Sequence, residues 1–162
     1  NEEFKTKLLG KREEEVARVC VEEGELNMSI EEFRIIARDI QHELMSTTTL
    51  MPGAEQILLQ LSEKNLPLAL ATSSHFNVMK IKTQLHEELF QLFSVIITGD
   101  HSAVKHGKPA PDIFLEAARQ LNIEPSKCLV FEDSPTGVRA GLAANMDVIW
   151  IPDQFLWNKL AE

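Results

Sequence analysis

Three short stretches of this chain hold residues suited to work on an anion. Thr72, Ser73 and Ser74 place three hydroxyls in a row, Lys108 stands inside "HGKPAPDIF", and Glu132 and Asp133 are adjacent carboxylates. Hydroxyls and backbone N–H groups at a helix start suit a phosphate. A lysine neutralises phosphoryl charge. Adjacent carboxylates suit a hard cation such as Mg²⁺, which takes oxygen ligands, keeps water and contacts substrate phosphate. Taken singly, each has an ordinary explanation as a polar strand end, a loop lysine or a helix cap. The succession of hydroxyl, lysine and acid pair is what carries information.

The lysine has unusual neighbours. Gly107 permits backbone shapes that other residues resist. Pro109 and Pro111 restrict the chain and bias Lys108 and Ala110 towards extended geometry. Asp112 is placed as a helix N-cap, with Ile113, Phe114 and Leu115 opening the helix. Three restrictive residues thus aim one ammonium group. A lysine kept for a ligand rather than for packing is expected to contribute little to stability.

The elements that must position these groups follow from hydrophobic patterning. After residue 53, four short apolar runs (66–71, 94–99, 127–133 and 147–152) alternate with helical stretches over 54–64, 76–89, 113–121 and 137–144. Such alternation predicts one parallel sheet covered by helices on both faces, with ligands at the carboxyl ends of its strands. Thr72–Ser74, Gly99–Asp100 with the loop leading to Lys108, and Glu132–Ser134 all fall at those ends. Residues 2–46 are charged and helical in pattern. Ser29–Glu32 reads as a capping box ahead of Ile30, Phe33, Ile36, Ala37, Ile40 and Leu44. Ser46–Gly53 breaks the pattern and marks a boundary.

Composition bounds the function. The chain has 162 residues, 44% of them hydrophobic, which is enough for a packed core. Its net charge of −9 argues against a non-specific nucleic-acid binder, though not against a locally positive site. Cys20 and Cys128 sit in apolar surroundings and read as buried, reduced thiols. No apolar run approaches the roughly 18 residues of a membrane span. The opening "NEEFKTK" lacks signal-peptide character, so a cytoplasmic protein is expected.

With these residues assembled, the chain resembles the haloacid-dehalogenase-type phosphohydrolases that carry a small helical cap. "LALATSS" resembles the family's second motif, with Thr72 as its hydroxyl. "GKPAPD" resembles the third, with Lys108 as its lysine. "LVFEDSPTGVRAG" resembles the fourth, with Glu132 and Asp133 as its acid pair. "MPGAEQILLQL" is similar to the passage from cap to core. The resemblance implies a Rossmann-like parallel sheet flanked by helices, with a partial N-terminal helical cap over 1–48 and a core, incomplete at both ends, over 49–162. It implies a Mg²⁺-dependent phosphomonoester hydrolase. Lys108 and Thr72 would serve catalysis, Thr72, Ser73, Ser74, Lys108 and Lys11 would bind phosphate or substrate, and Glu132 and Asp133 would hold the metal. The branch it most resembles acts on pseudouridine 5′-phosphate and related nucleotide or sugar phosphates. Glycerol phosphate is the alternative substrate, and a non-catalytic phosphoryl-ligand binder is the alternative function. The expected partner is a small phosphorylated metabolite, with neither nucleic acid nor membrane. The expected state is a monomer, with a dimer as the alternative.

One motif of the family is missing. Its first motif, Asp-x-Asp-Gly after a strand, supplies an aspartate that attacks phosphorus and a second that acts as general acid and base. No Asp-x-Asp occurs in these 162 residues. The family places that motif before the cap, so it is expected upstream of Asn1, and this chain alone is expected to be inactive. Other candidates carry less. Lys11 and Arg12 lie where related caps approach the site, and a solvated helix start explains them equally well. His75 and Asn77 follow the Thr72 turn. His42, His86, His101 and His106 form no metal-ligand spacing. Trp150 and Trp157 read as packing residues.

Overall fold

A computed structural model of the chain describes residues 13–152 and 157–158. The chain divides between Thr47 and Thr48 into two compact units.

In the first unit, helices α1 (Glu13–Glu22) and α2 (Ile30–Ser46) pack against each other. The expected capping box is present. Ser29 Oγ accepts the Glu32 amide at 3.2 Å, and Glu32 Oε2 accepts the Ser29 amide at 2.8 Å. Ala17 is buried, whereas Ile36, Ile40 and Leu44 of α2 stay exposed.

The second unit holds α3 (Ala54–Glu63), β1 (Ala69–Ala71), α4 (Phe76–Thr83), α5 (Glu87–Phe90), β2 (Val95–Ile97), α6 (Asp112–Leu121), β3 (Leu129–Glu132), α7 (Pro135–Ala143) and β4 (Asp147–Trp150). All four expected strands form, each parallel to its partner. They make two pairs, β1–β2 and β3–β4, rather than one continuous sheet. Helix α6 lies on β1 and β2, and α7 lies on β3 and β4. Their small residues Ala117, Ala118 and Ala140, with Ala144 at the end of α7, join Val95, Ile97, Ile113, Phe114, Val130 and Met146 in one buried core. Alanines let helix backbones approach the strands closely. Helix α6 is well punctuated, with Asp112 in its first turn, Arg119 in its last and Asn122 closing it in the left-handed conformation (φ 56°).

Between the two pairs runs a cavity of about 700 Å³, lined by β1, β3, α6 and by Ile57, Leu58 and Leu61 of α3. Its edges can be read from the hydrogen bonds. Ser94 N–H donates to Leu68 O and Thr72 N–H to Ile97 O, so residues 68, 70 and 72 face β2. By alternation Ala69 and Ala71 turn their backbone groups to the cavity. Likewise Asp147 N–H donates to Cys128 O and Ile151 N–H to Glu132 O, which leaves Leu129 and Phe131 facing it. Among the described residues, the cavity is a slot between two parallel edges to which no further strand is paired. Coverage of both faces, as expected from the sequence, is not complete among the described residues, because Leu129, Phe131, Ile149 and Ile151 remain exposed.

Three local expectations change. The single helix expected over 76–89 is broken by a 3₁₀ turn at Gln84–His86. An unbroken helix would put Leu85 and Leu89 on one face; the break leaves Leu85 exposed and buries Leu89. The cap of α6 is Pro111 rather than Asp112, because the Asp112 carboxylate is used elsewhere. Cys20 and Cys128 are free and half-buried rather than buried, and burial raises the pKa of the Cys128 thiol.

Candidate active site

The first part of the site is the turn after β1. Thr72 N–H donates to Ile97 O at 2.9 Å, which continues the β1–β2 ladder by one residue. Thr72 Oγ1 accepts the Ser74 amide at 3.1 Å, a tight hydroxyl turn that leaves the hydroxyl hydrogen available to an anion. Ser74 O accepts the Gly99 amide at 3.0 Å, and Ser74 Oγ accepts from Lys82 Nζ at 3.1 Å. Ser73 is exposed at the apex.

The second part is the Lys108 loop. Asp112 Oδ2 accepts the backbone amides of Lys105 (3.0 Å) and His106 (2.9 Å). Those bonds hold its carboxyl below the usual aspartate range, the His106 amide most of all. Asp112 therefore ties down the loop ahead of Lys108 instead of capping its own helix. The Lys108–Pro109 bond is cis. The Lys108 ammonium is largely buried. It donates to Ala71 O at 3.4 Å, pairs with Glu132 Oε1, and lies 4.9 Å from the centre of the Phe114 ring. It thus bridges the carboxyl ends of β1 and β3 across the slot.

The third part follows β3. Glu132 is buried, with its second oxygen accepting the Ser134 amide (3.2 Å) and hydroxyl (3.0 Å). Burial alone would raise its pKa; Lys108 and Ser134 outweigh that and hold it below the ordinary glutamate value. Ser134 Oγ also accepts the Gly137 amide at 3.0 Å and so caps α7. A Cβ at Gly137 would fall on the Glu132 carboxylate. Asp133 is exposed, and its carbonyl accepts the Trp150 indole N–H at 3.0 Å.

Thr72, Lys108 and Glu132 are therefore gathered at one edge, with Ser73, Ser74 and Asp133 on the same loops. Lys11 and Arg12 lie outside the described residues. His75 and Asn77 are exposed at the start of α4. No group of three or more His, Cys, Asp or Glu side chains converges on a common point among the described residues. Glu132 commits both oxygens to protein donors, so Asp133 is the carboxylate of the pair left to offer an ion. The site also contains residues to which the motifs assigned no role in it. Asp112, Phe114 and Ser134 hold groups already singled out, and Trp150 fastens the Asp133 loop rather than merely packing. A glycine inside a helix, as at Gly137, is the kind of signal that marks a close approach. The expectation that Lys108 is dispensable for stability is also revised, since its removal would strand a buried carboxylate.

Parallel strands with helices packed along them, and polar loops collected at their carboxyl ends, make this a Rossmann-like α/β domain. A family model of haloacid dehalogenase-like hydrolases matches residues 2–145, and the chain belongs to that family. It is 42% identical over 155 residues to (DL)-glycerol-3-phosphatase 2 of Arabidopsis thaliana, covering 93% of this chain and 65% of that protein. It is 46% identical over 154 residues to a "Probable pseudouridine-5′-phosphatase" of Drosophila melanogaster, covering 93% of this chain and 67% of the relative. Among solved structures, a HAD hydrolase of family IA, variant 3, from Entamoeba histolytica superposes with a TM-score of 0.75 at 29% identity, covering 99% of this chain and 72% of that one. The chain thus spans about two thirds of the length of these two curated relatives.

Proposed function

We propose that this chain is part of a cytoplasmic, Mg²⁺-dependent phosphomonoesterase acting on a small phosphorylated metabolite. The observation that carries the reading is the Lys108 ammonium, fixed between Ala71 O and Glu132 at the carboxyl end of an open slot. A segment ending in Asp-x-Asp-Gly, entering that slot as a further parallel strand, would deliver its aspartates beside Lys108 and Thr72. The first would attack phosphorus and carry it as an aspartyl phosphate, while the second would exchange protons with leaving group and water. Thr72, Ser73 and Ser74 would donate to the phosphoryl oxygens. Lys108 would offset charge on the transferring group, and Glu132 would keep its ammonium in place. Mg²⁺, with Asp133 among its oxygen ligands, would supply further neutralisation of phosphoryl charge.

The similarity to a glycerol-3-phosphatase and to a probable pseudouridine-5′-phosphatase supports a small phosphate monoester as substrate. We favour pseudouridine 5′-phosphate or a similar nucleotide or sugar phosphate, with glycerol phosphate as the alternative. A second reading, a non-catalytic phosphoryl-ligand binder, draws on the lack of Asp-x-Asp in these 162 residues. Hydrolysis of p-nitrophenyl phosphate with Mg²⁺ separates the two. The 162-residue chain should be inactive, and a longer chain bearing Asp-x-Asp-Gly should turn over. Sustained hydrolysis by the short chain would overturn the assigned nucleophile; no hydrolysis by the longer one would favour the binder.

A further inference from the structure

We propose that Asp100 is a positioning residue that preshapes the Thr72–Ser74 turn for a phosphoryl group, a role that rests on the function proposed above. Helix α4 begins directly after that turn, yet His75, in the N-cap position, offers its backbone no side-chain hydrogen bond. The missing cap comes from the neighbouring loop. Asp100 Oδ1 accepts the Phe76 amide at 3.0 Å and the hydroxyl of buried Thr98 at 2.7 Å. The Thr98 hydroxyl, with help from the Phe76 amide, keeps the carboxyl below the usual aspartate range, so it remains an acceptor at neutral pH.

Two further bonds run between the same loops, from Thr72 N–H to Ile97 O and from Gly99 N–H to Ser74 O. The turn is therefore pinned before its first hydroxyl, at its last carbonyl and at the first amide of the helix behind it. Gly99 is part of the fit, because a Cβ there would fall on the Ser73 carbonyl. A turn already held in shape forgoes part of the ordering cost that a mobile one meets on each binding event. Asp100 acts only through the turn and does not itself contact the phosphoryl group.

The test uses the whole encoded protein with p-nitrophenyl phosphate as substrate, inorganic phosphate as competing ligand, and amide exchange at Phe76. Asp100→Ala should speed Phe76 exchange and weaken inorganic phosphate binding about five- to tenfold, the size of a lost helix cap. KM should rise by a similar factor, with kcat changing less. Asp100→Asn keeps an acceptor and should restore most of the binding. If Asp100→Ala speeds exchange but binds phosphate like the parent, or if Asp100→Asn fails as badly as Asp100→Ala, the positioning role is overturned. Thr72→Ala separates this inference from the reading beneath it. Weaker phosphate binding in Thr72→Ala but not in Asp100→Ala sinks only the role of Asp100. Unchanged binding in Thr72→Ala sinks the assigned site and that role together.

Discussion

Lys108 has two duties, and its mutants should show both. In a nucleophile-bearing form of the protein, Lys108→Ala should lower kcat by about 10²–10³, the usual cost of losing a preorganised charge-stabilising donor. It should also destabilise the fold by about 3 kcal/mol, because Glu132 would keep its burial and lose its cation. Steady-state kinetics and urea unfolding of the same variant check the two effects. Unchanged stability would mean that Glu132 finds another partner. Lys108→Arg should recover part of the stability and little of the rate, since a planar fork does not reproduce a point charge aimed at Ala71 O, Glu132 and Phe114. Lys108 was legible from its Gly-Lys-Pro-Ala-Pro-Asp setting. Its partner was not, because Glu132 lies 24 positions away and the pairing exists only once the loop after β2 reaches the end of β3.

Among the elements, α6 carries a second buried carboxylate that no motif pointed to. Glu116 accepts from Arg119 Nε and Nη2 at 2.7 Å each and from Gln120 at 2.7 Å. The Arg119 hydrogen bonds, above all, lower its pKa to about 2 from an ordinary 4.5. A depressed carboxyl stabilises the fold above its unfolded pKa, and that contribution is lost as pH falls through the folded one. Thermal melts between pH 4.5 and pH 2 should therefore decline more steeply in the parent than in Glu116→Gln; parallel curves would assign the acid sensitivity elsewhere. Gly137→Ala tests α7. The added methyl would meet the Glu132 carboxylate, so a loss of about 1–3 kcal/mol is expected, along with weaker phosphate binding. A stable, fully binding Gly137→Ala would show that the helix start can shift. Strand and helix periods were readable along the chain because β1 to β4 are short apolar runs and α6 has a clear apolar face. The break at Gln84–His86 was not, since only tertiary packing decides that Leu89 goes inward and Leu85 does not. Asp112 was legible as an acid at a helix start, yet its hold on Lys105 and His106 depends on how the loop folds back.

For the molecule as a whole, the slot between β1 and β3 is the feature that sequence reading anticipated only in part. Alternating strands and helices predicted one sheet. That pattern cannot say whether neighbouring runs pair with each other or with a strand between them. If an extended segment completes the sheet, adding it should raise the melting temperature and slow amide exchange at Ala69, Ala71, Leu129 and Phe131, whose N–H groups face the slot. Hydrogen-exchange mass spectrometry of the 162-residue chain, with and without that segment, reads this directly. Equal protection at those four amides in both would place the segment elsewhere.

The same slot has a consequence for handling the protein. Two parallel edges, unpaired among the described residues and beside exposed Leu129, Phe131, Ile149 and Ile151, form a template for any extended chain, including the edges of other copies. Copies of the 162-residue chain would compete for one another at these edges, and the competition would sharpen with concentration. A lysine at position 129 or 131, which would leave the Glu132–Lys108 contact intact, should keep the short chain in solution at concentrations where the parent scatters light.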